Sequence, residues 1–202
     1  MVFLCIMNYT AKQFNIPNLA GISEKQIKVH LGLYEGYVKQ VNFIGEKLAA
    51  ARAGKLELDP YTVSELRRRF AFEFDGMRMH EYYFEQLQGG SCKVKEENAF
   101  ANAVKEKYGE QGLEAHIREV AGSRGIGWVV VYYDPLSQSL ITTFVSGHEV
   151  GQLAGLPIIL ALDLWEHAFM VDYVPADKKN YIDAFFANIN WGVVEKRFDA
   201  TK

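Results

Sequence analysis

The spacing of apolar residues changes at the glycine pair Gly89-Gly90, and this change constrains the fold more than any other feature. Before the pair, apolar and aromatic residues recur with a helical period in two long segments. After it, short runs of β-branched and aromatic residues alternate with shorter helical segments. The sequence therefore predicts an α+β fold. We expect an N-terminal helical domain over residues 1–89 and a C-terminal domain over residues 90–202, packed together as a single unit.

Two long helices are predicted in the first half. Ser23 followed by Gln26 has the form of a capping box, and the helix that starts there extends to about Ala51. Asp59-Pro60 breaks the pattern, and a second helix is predicted over residues 63–88, closed by the glycine pair. Because the link between them is short, the two helices are expected to form an antiparallel hairpin.

The second half is predicted to contain a three-stranded antiparallel sheet with flanking helices. Strands are indicated by β-branched and aromatic runs at residues 127–134, 140–145 and 157–163. Amphipathic helices are predicted at residues 96–108, 113–120 and 177–187, and a last one from Trp191.

Charge and cysteine content exclude several classes of protein. The net charge of -3 gives no basic field, so neither nucleic acid nor an anionic membrane is an expected partner. Cys5 and Cys92 are the two cysteines, which excludes a disulfide-rich scaffold and favours the cytoplasm. The apolar run of residues 1–7 is too short for a secretion signal and is interpreted as a loose terminus, with Met7 as an alternative start.

One aspartate and one of the five histidines lie close together in the sequence and indicate a metal site. Asp163 ends a predicted buried strand, and His167 follows four residues later. A carboxylate and an imidazole together suit iron, manganese and zinc. The spacing alone fits a capping aspartate beside a structural histidine equally well. His116, by contrast, lies among charged residues and is interpreted as a surface histidine.

The residues around this pair resemble the signature of the iron/manganese superoxide dismutases. The run Asp163-Leu-Trp-Glu-His-Ala-Phe169 is similar to the family pattern D-x-W-E-H-A-Y. Gly127-Trp128 before the first strand and Asn190-Trp191 at the last helix match further landmarks, so the resemblance extends along nearly the whole chain. It implies that the protein disproportionates superoxide to oxygen and hydrogen peroxide.

The resemblance also implies a set of metal ligands. Asp163 and His167 match the two ligands of the C-terminal half. His80 matches the ligand of the second helix, although the family motif N-H-x-x-Y-W has Met79 and Phe84 at its ends here. His30 matches the ligand of the first helix. One iron or manganese ion per subunit is implied, and the sequence does not decide between the two metals.

Outer residues of the site are implied in the same way. Tyr37 and His148 are expected to orient the metal-bound solvent and the incoming anion, with Gly76 at the position where iron enzymes of the family carry a glutamine. In the family the first ligand and the tyrosine are eight residues apart, whereas His30 and Tyr37 are seven apart. We therefore expect either a local irregularity in the helix or only one of the two side chains in the site.

A second departure concerns the expected subunit contact. The family pairs a histidine on the first helix with a tyrosine of the other subunit, and Leu33 and Met170 stand at these positions. Glu166 and His167, which link subunits in the family, are retained, so a homodimer or homotetramer is expected. Trp128 and Trp165 are expected to form apolar walls. Lys178 or Lys179 is the candidate for the cation that steers superoxide.

The sequence leaves two other functions open. One is a metal-binding relative that keeps the fold and the dimer but has little or no dismutase activity. The shortened spacing between His30 and Tyr37 and the changes at Leu33 and Met170 favour it. A non-haem iron oxygenase is the second alternative, although its usual face of two histidines and one carboxylate leaves positions that a third histidine would fill.

Overall fold

The computed structural model describes residues 8–202, so the predictions for the run of residues 1–7, which includes Cys5, lie outside the described part of the chain. Within it, six α-helices and three β-strands form, and the predicted α+β fold is confirmed. The helices are α1 (Glu24–Arg52), α2 (Pro60–Glu85), α3 (Ala99–Tyr108), α4 (Gly112–Ala121), α5 (Lys178–Asn188) and α6 (Trp191–Asp199). The strands are β1 (Trp128–Asp134), β2 (Ser139–Val145) and β3 (Ile158–Asp163).

The hairpin of α1 and α2 is confirmed, but α2 begins and ends three residues earlier than predicted. It begins early because Pro60 fits the first helical position, where no backbone donor is needed, and Asp59 caps it by accepting from the Thr62 amide at 3.0 Å. It ends early because the Gln86 carbonyl accepts from the Asn190 amide at 2.8 Å. A contact with a distant segment therefore sets this helix end.

The predicted capping box at the start of α1 forms only in part. Ser23 Oγ accepts from the Gln26 amide at 3.0 Å, as expected. The Ser23 amide, however, donates to Asp172 Oδ2 at 2.7 Å instead of to the Gln26 side chain. The helix start is thus tied to the C-terminal half, and the Gln26 side chain is available for another contact.

The three strands form one antiparallel sheet in the order β2-β1-β3. The central strand β1 is buried along its first six residues. Its first residue, Trp128, pairs with Val145 of β2 and with Asp163 of β3. The register therefore brings Trp128 beside the last residue of β3, at the sheet end that faces the helical hairpin.

Gly127 determines where the central strand begins. Its φ is 144°, and an added Cβ would lie 2.2 Å from the Val145 carbonyl oxygen. Its own carbonyl accepts from the Leu164 amide at 2.8 Å. Only glycine allows the backbone to come this close to the Val145 carbonyl. As a result, β1 starts at Trp128 and the chain after β3 is held next to it.

Contacts between the two halves position the site. Helix α2 packs against β3, and Arg197 of α6 donates to Glu85 and to the Tyr82 carbonyl of α2. Asn188 of α5 bonds both the amide and the carbonyl of Ala20, ahead of α1. The division into domains at residues 89 and 90 stays a prediction. No helix within residues 8–202 has both the length and the apolar character needed to cross a membrane.

Candidate metal centre

Four side chains from different elements meet where the hairpin faces the sheet. They are His30 of α1, His80 of α2, Asp163 at the end of β3 and His167 in the short 3-10 turn Glu166–Ala168. Their candidate ligand atoms all lie within 4.8 Å of one another. His30, His80 and Asp163 are fully buried, whereas 17% of the His167 side chain is exposed. The structure thus brings together every residue that the sequence suggested as a ligand.

One oxygen of Asp163 is the meeting point of the cluster. Its Oδ2 lies 3.1 Å from His30 Nε2, 3.1 Å from His167 Nε2 and 3.7 Å from His80 Nε2. The other oxygen, Oδ1, accepts from the Trp165 amide at 2.8 Å and so fixes the start of the turn that carries His167. The carboxylate therefore both orients the turn and faces the three imidazoles.

The environment favours the protonation states that bind metal. Burial lowers the pKa of His30, despite the opposing effect of Asp163, and lowers that of His80 further. Burial acts to raise the pKa of Asp163, but the charge of His167 and the hydrogen bonds from His167 and His30 outweigh it, so this pKa lies well below its usual range. Two neutral imidazoles thus face an ionised carboxylate.

The hydrogen-bond pattern of the cluster fits a bound cation. His80 Nδ1 lies 2.6 Å from the Gly76 carbonyl, which can only accept, so the proton is on Nδ1 and the lone pair of Nε2 points at the cluster. That lone pair faces His167 Nε2 at 3.2 Å. His30 Nδ1 is buried with no partner within residues 8–202. The lone pair of His80 Nε2 and the ionised carboxylate of Asp163 both face the cluster, and a metal ion can bind both together.

Tyr37 and His148 lie next to these four residues. Tyr37 Oη is 2.7 Å from His148 Nε2, and the Tyr37 ring centroid is 5.0 Å from that of His80. Helix α1 is continuous from Glu24 to Arg52, which excludes a local irregularity. The rings of His30 and Tyr37 both lie 5.0 Å from the ring of His80, so both side chains face the site. Seven residues make about two full turns, and His30 and Tyr37 consequently share one helix face.

Gly76 provides the space in which Tyr37 and His148 meet. A Cβ at this position would lie 2.7 Å from Tyr37 Cδ1 and 3.2 Å from His148 Cδ2. Gly76 therefore has a role of its own besides replacing the glutamine of the iron enzymes. Any larger residue would displace Tyr37 and His148.

The two tryptophans expected as apolar walls surround His148, but one of them also makes a hydrogen bond. Trp165 stacks on His148 with ring centroids 4.9 Å apart. Trp128 donates from Nε1 to His148 Nδ1 at 3.0 Å. His148 itself is fully buried, and burial lowers its pKa to about 4.

Gln26 is a site residue that the sequence did not single out for this role. Its side chain, 1% exposed, donates to the His167 carbonyl at 2.7 Å and accepts from the Val171 amide at 2.9 Å. It therefore clamps α1 to the turn that carries His167. The capping-box pattern gave no signal of this, because the partner lies 141 residues away.

The remaining candidates lie at the margin of the site or away from it. Leu33 and Met170 are exposed, at 39% and 47%. Lys178 Nζ donates to the Ser123 carbonyl at 3.0 Å, and Lys179 is exposed on α5. His116 lies apart from the cluster, with Nδ1 3.5 Å from Glu119 Oε2, as expected for a surface histidine.

Comparisons with known proteins agree with this geometry. Residues 96–197 match the family model described as iron/manganese superoxide dismutases, C-terminal domain. The chain is 37% identical over 188 residues to a protein of Aquifex pyrophilus named superoxide dismutase [Fe], covering 90% of this chain and 86% of the relative. It is 32% identical to one of the same name from Saccharolobus solfataricus, covering 87% and 85%. It is 30% identical to a superoxide dismutase [Mn/Fe] of Aeropyrum pernix, covering 88% and 83%.

Proposed function

Because the chain belongs to the iron/manganese superoxide dismutase family, we propose that it disproportionates superoxide to oxygen and hydrogen peroxide. The observation that carries the proposal is the convergence of His30, His80, Asp163 and His167 on one buried point. We propose these four as ligands of one iron or manganese ion per subunit. A third imidazole in the donor set argues against an oxygenase site with two histidines and one carboxylate.

The chemistry divides between the bound ion and the protein. Iron or manganese supplies the one-electron cycling that dismutation requires, which zinc does not provide. The neutral imidazoles of His30 and His80 and the ionised Asp163 offer lone pairs without first losing a proton at neutral pH. The Asp163 bond to the Trp165 amide and the Gln26 clamp hold the donors in position before any ion arrives.

We propose that Tyr37, held in place by His148, orients the anion beside the ligands. Their side chains meet at 2.7 Å in the space left by Gly76, next to the His80 ring. Burial raises the pKa of Tyr37, so the phenol keeps its proton at neutral pH and can donate a hydrogen bond to a bound anion. Trp128 and Trp165 enclose this pair and exclude bulk water, which strengthens each polar contact.

The protein acts as a homodimer or homotetramer in this proposal. Exposed apolar residues stand on the chain segments next to the site residues, and we propose that a second copy buries them: Val29, Leu33, Ile126, Met170 and Val171. Glu166 is exposed on the same turn as His167. We propose that its carboxylate contacts His167 of the partner subunit. The low cysteine content favours the cytoplasm as its location.

Reconstitution with each metal tests the proposal. Wild-type protein is loaded separately with iron and with manganese, its metal content is measured, and superoxide decay is followed by pulse radiolysis. We expect catalytic superoxide loss with at least one metal. His80→Ala should lose both metal and activity, whereas His116→Ala, which alters a histidine outside the cluster, should keep both.

Stoichiometric metal without dismutation in either form would overturn the proposal. It would instead support the alternative of a metal-binding relative with an altered gateway at Leu33 and Met170. Restoring a histidine and a tyrosine in Leu33→His/Met170→Tyr would then be expected to produce activity.

A further inference from the structure

His148 is held by hydrogen bonds at both ring nitrogens. Trp128 Nε1 lies 3.0 Å from Nδ1, and Tyr37 Oη lies 2.7 Å from Nε2. A further bond, from Gln152 Nε2 to the His148 carbonyl at 2.8 Å, fixes the backbone. His148 and Trp128 are both fully buried, so neither ring exchanges these partners for solvent. The position of each proton therefore follows from the chemistry of the partners.

An indole N–H can donate a hydrogen bond and cannot accept one. His148 Nδ1 must accordingly accept from Trp128, which excludes a proton on Nδ1 and excludes the doubly protonated ring. A neutral imidazole carries one proton, and it must be on Nε2. His148 Nε2 then donates to Tyr37 Oη, and the phenol is the acceptor in that bond.

We propose that Trp128 is a positioning residue that fixes the tautomer of His148, and thereby directs the hydroxyl proton of Tyr37 toward the anion at the metal centre. The consequence for the anion rests on the proposed function, whereas the tautomer itself does not. Because His148 Nε2–H donates to the phenol oxygen, Tyr37 does not donate its hydroxyl proton to His148. Tyr37 shares a helix face with His30 and lies against His80, so this proton is presented to the cluster.

Trp128 is needed because the pair would otherwise take the opposite arrangement. A phenol is a strong donor and an imidazole nitrogen a strong acceptor, so an isolated pair favours O–H donating to Nε2. In that arrangement Tyr37 would donate its proton to His148, and none would remain for the anion. Gly76 holds the pair close and does not choose between the two arrangements, since it offers neither donor nor acceptor in a side chain.

The tautomer also sets how many donors the site offers. The single N–H of His148 is used by Tyr37, so the imidazole has none left for solvent bound at the centre. Among Tyr37, His148, Trp128 and Trp165, the donors that remain are the Tyr37 hydroxyl and the Trp165 indole N–H, which is buried and has no partner within residues 8–202.

Nitrogen NMR of the full-length protein tests the tautomer directly. The protein is labelled with ¹⁵N-histidine and measured without metal, and the His148 resonances are assigned by their loss in His148→Gln. We expect Nε2 to have a pyrrole-type shift and Nδ1 a pyridine-type shift. In Trp128→Phe we expect the two types to be exchanged. Trp165→Phe is the matched control. It removes the indole that stacks on His148 but does not donate a hydrogen bond to it, so the tautomer should stay unchanged.

Azide binding to the iron-loaded protein tests the consequence at the centre. Loss of one hydrogen bond from Tyr37 should weaken azide binding about fivefold in Trp128→Phe, and Tyr37→Phe should weaken it by a similar factor. The double variant should show no further loss, because both changes remove the same donor.

Two results would overturn the inference. A proton on Nδ1 in the wild-type protein would contradict it, and this measurement remains decisive if Trp128→Phe fails to fold. An unchanged tautomer in folded Trp128→Phe would show that Trp128 does not control it. Because the NMR measurement needs neither metal nor turnover, a failure of the dismutase proposal would be recognised separately.

Discussion

Asp163 Oδ2 and His30 Nε2 lie 3.1 Å apart, and this contact joins the end of the sheet to the first helix of the hairpin. The two residues are separated by 133 positions in the chain, and both side chains are fully buried. The donor set consequently exists only when the two halves are packed together. Metal binding and folding should therefore be coupled.

Metal should stabilise the folded protein. Because the four donors converge only in the native state, iron or manganese at a thousandfold excess over its Kd adds about 4 kcal/mol to the free energy of unfolding, which is about 10 °C in Tm for a chain of this size. Calorimetry with and without a chelator measures the shift. His80→Ala should unfold at one temperature in both conditions, and a metal-dependent shift in that variant would contradict the assigned ligand.

Asp163→Asn should remove metal binding. The amide keeps an oxygen that can accept from the Trp165 amide, but it removes the negative charge that faces three imidazoles. Removing a residue that only hydrogen-bonds a metal ligand lowers metal affinity by up to about a hundredfold. Removing the ligand itself should lower it by at least that much. Metal analysis of the purified variant measures it, with the exposed Asp199→Asn as the control. Full metal content in Asp163→Asn would place the ion elsewhere.

Gln26→Ala should release the turn that carries His167. The change removes two hydrogen bonds of a buried side chain, which costs about 2 kcal/mol of stability. We also expect metal affinity to fall about tenfold, because the clamp orients a ligand. Urea denaturation and competitive chelation measure the two effects. Gln40→Ala, at an exposed position of the same helix, should change neither.

Gly76→Ala should disturb the site without removing a ligand. The added methyl group would lie 2.7 Å from the Tyr37 ring, and overpacking of this kind costs about 1–3 kcal/mol. Gly45→Ala, whose Cβ would meet nothing within 4 Å, should instead stabilise its helix by up to about 1 kcal/mol. Activity per bound metal should fall in the first variant alone. Equal activity in both would mean that the placement of Tyr37 is unimportant for turnover.

Met170→Lys should weaken the subunit contact. If a partner covers exposed apolar residues such as Met170, a lysine at this position places a charge in the interface. The dissociation constant of the dimer should then rise at least about tenfold. Sedimentation equilibrium measures the association. Leu136→Lys is the control, because Leu136 is 95% exposed at the tip of the β1–β2 hairpin. Equal association of the two variants would place the interface on another face.

Local sequence signals predicted most of the secondary structure. Periodicity and turn residues located both long helices and all three strands, because these features depend on neighbours within a few residues. The largest errors were at the ends of α2 and the start of α3, where Pro60, the bond from Asn190 to Gln86 and the Asn98 cap decided the boundary. The candidate ligands were identified by resemblance, because a spacing such as that of Asp163 and His167 also fits a structural pair.

The sequence by itself determined the order of elements, the helical or extended character of each segment and the residue types available for a metal site. Only the tertiary structure decided that His30 and Tyr37 face the same centre on an unbroken helix, that Gln26 clamps the His167 turn and that Trp128 bonds His148. Periodicity reports on residues within one or two turns of each other. A hydrogen bond across 141 residues depends on how separate elements pack, and no local pattern carries that information.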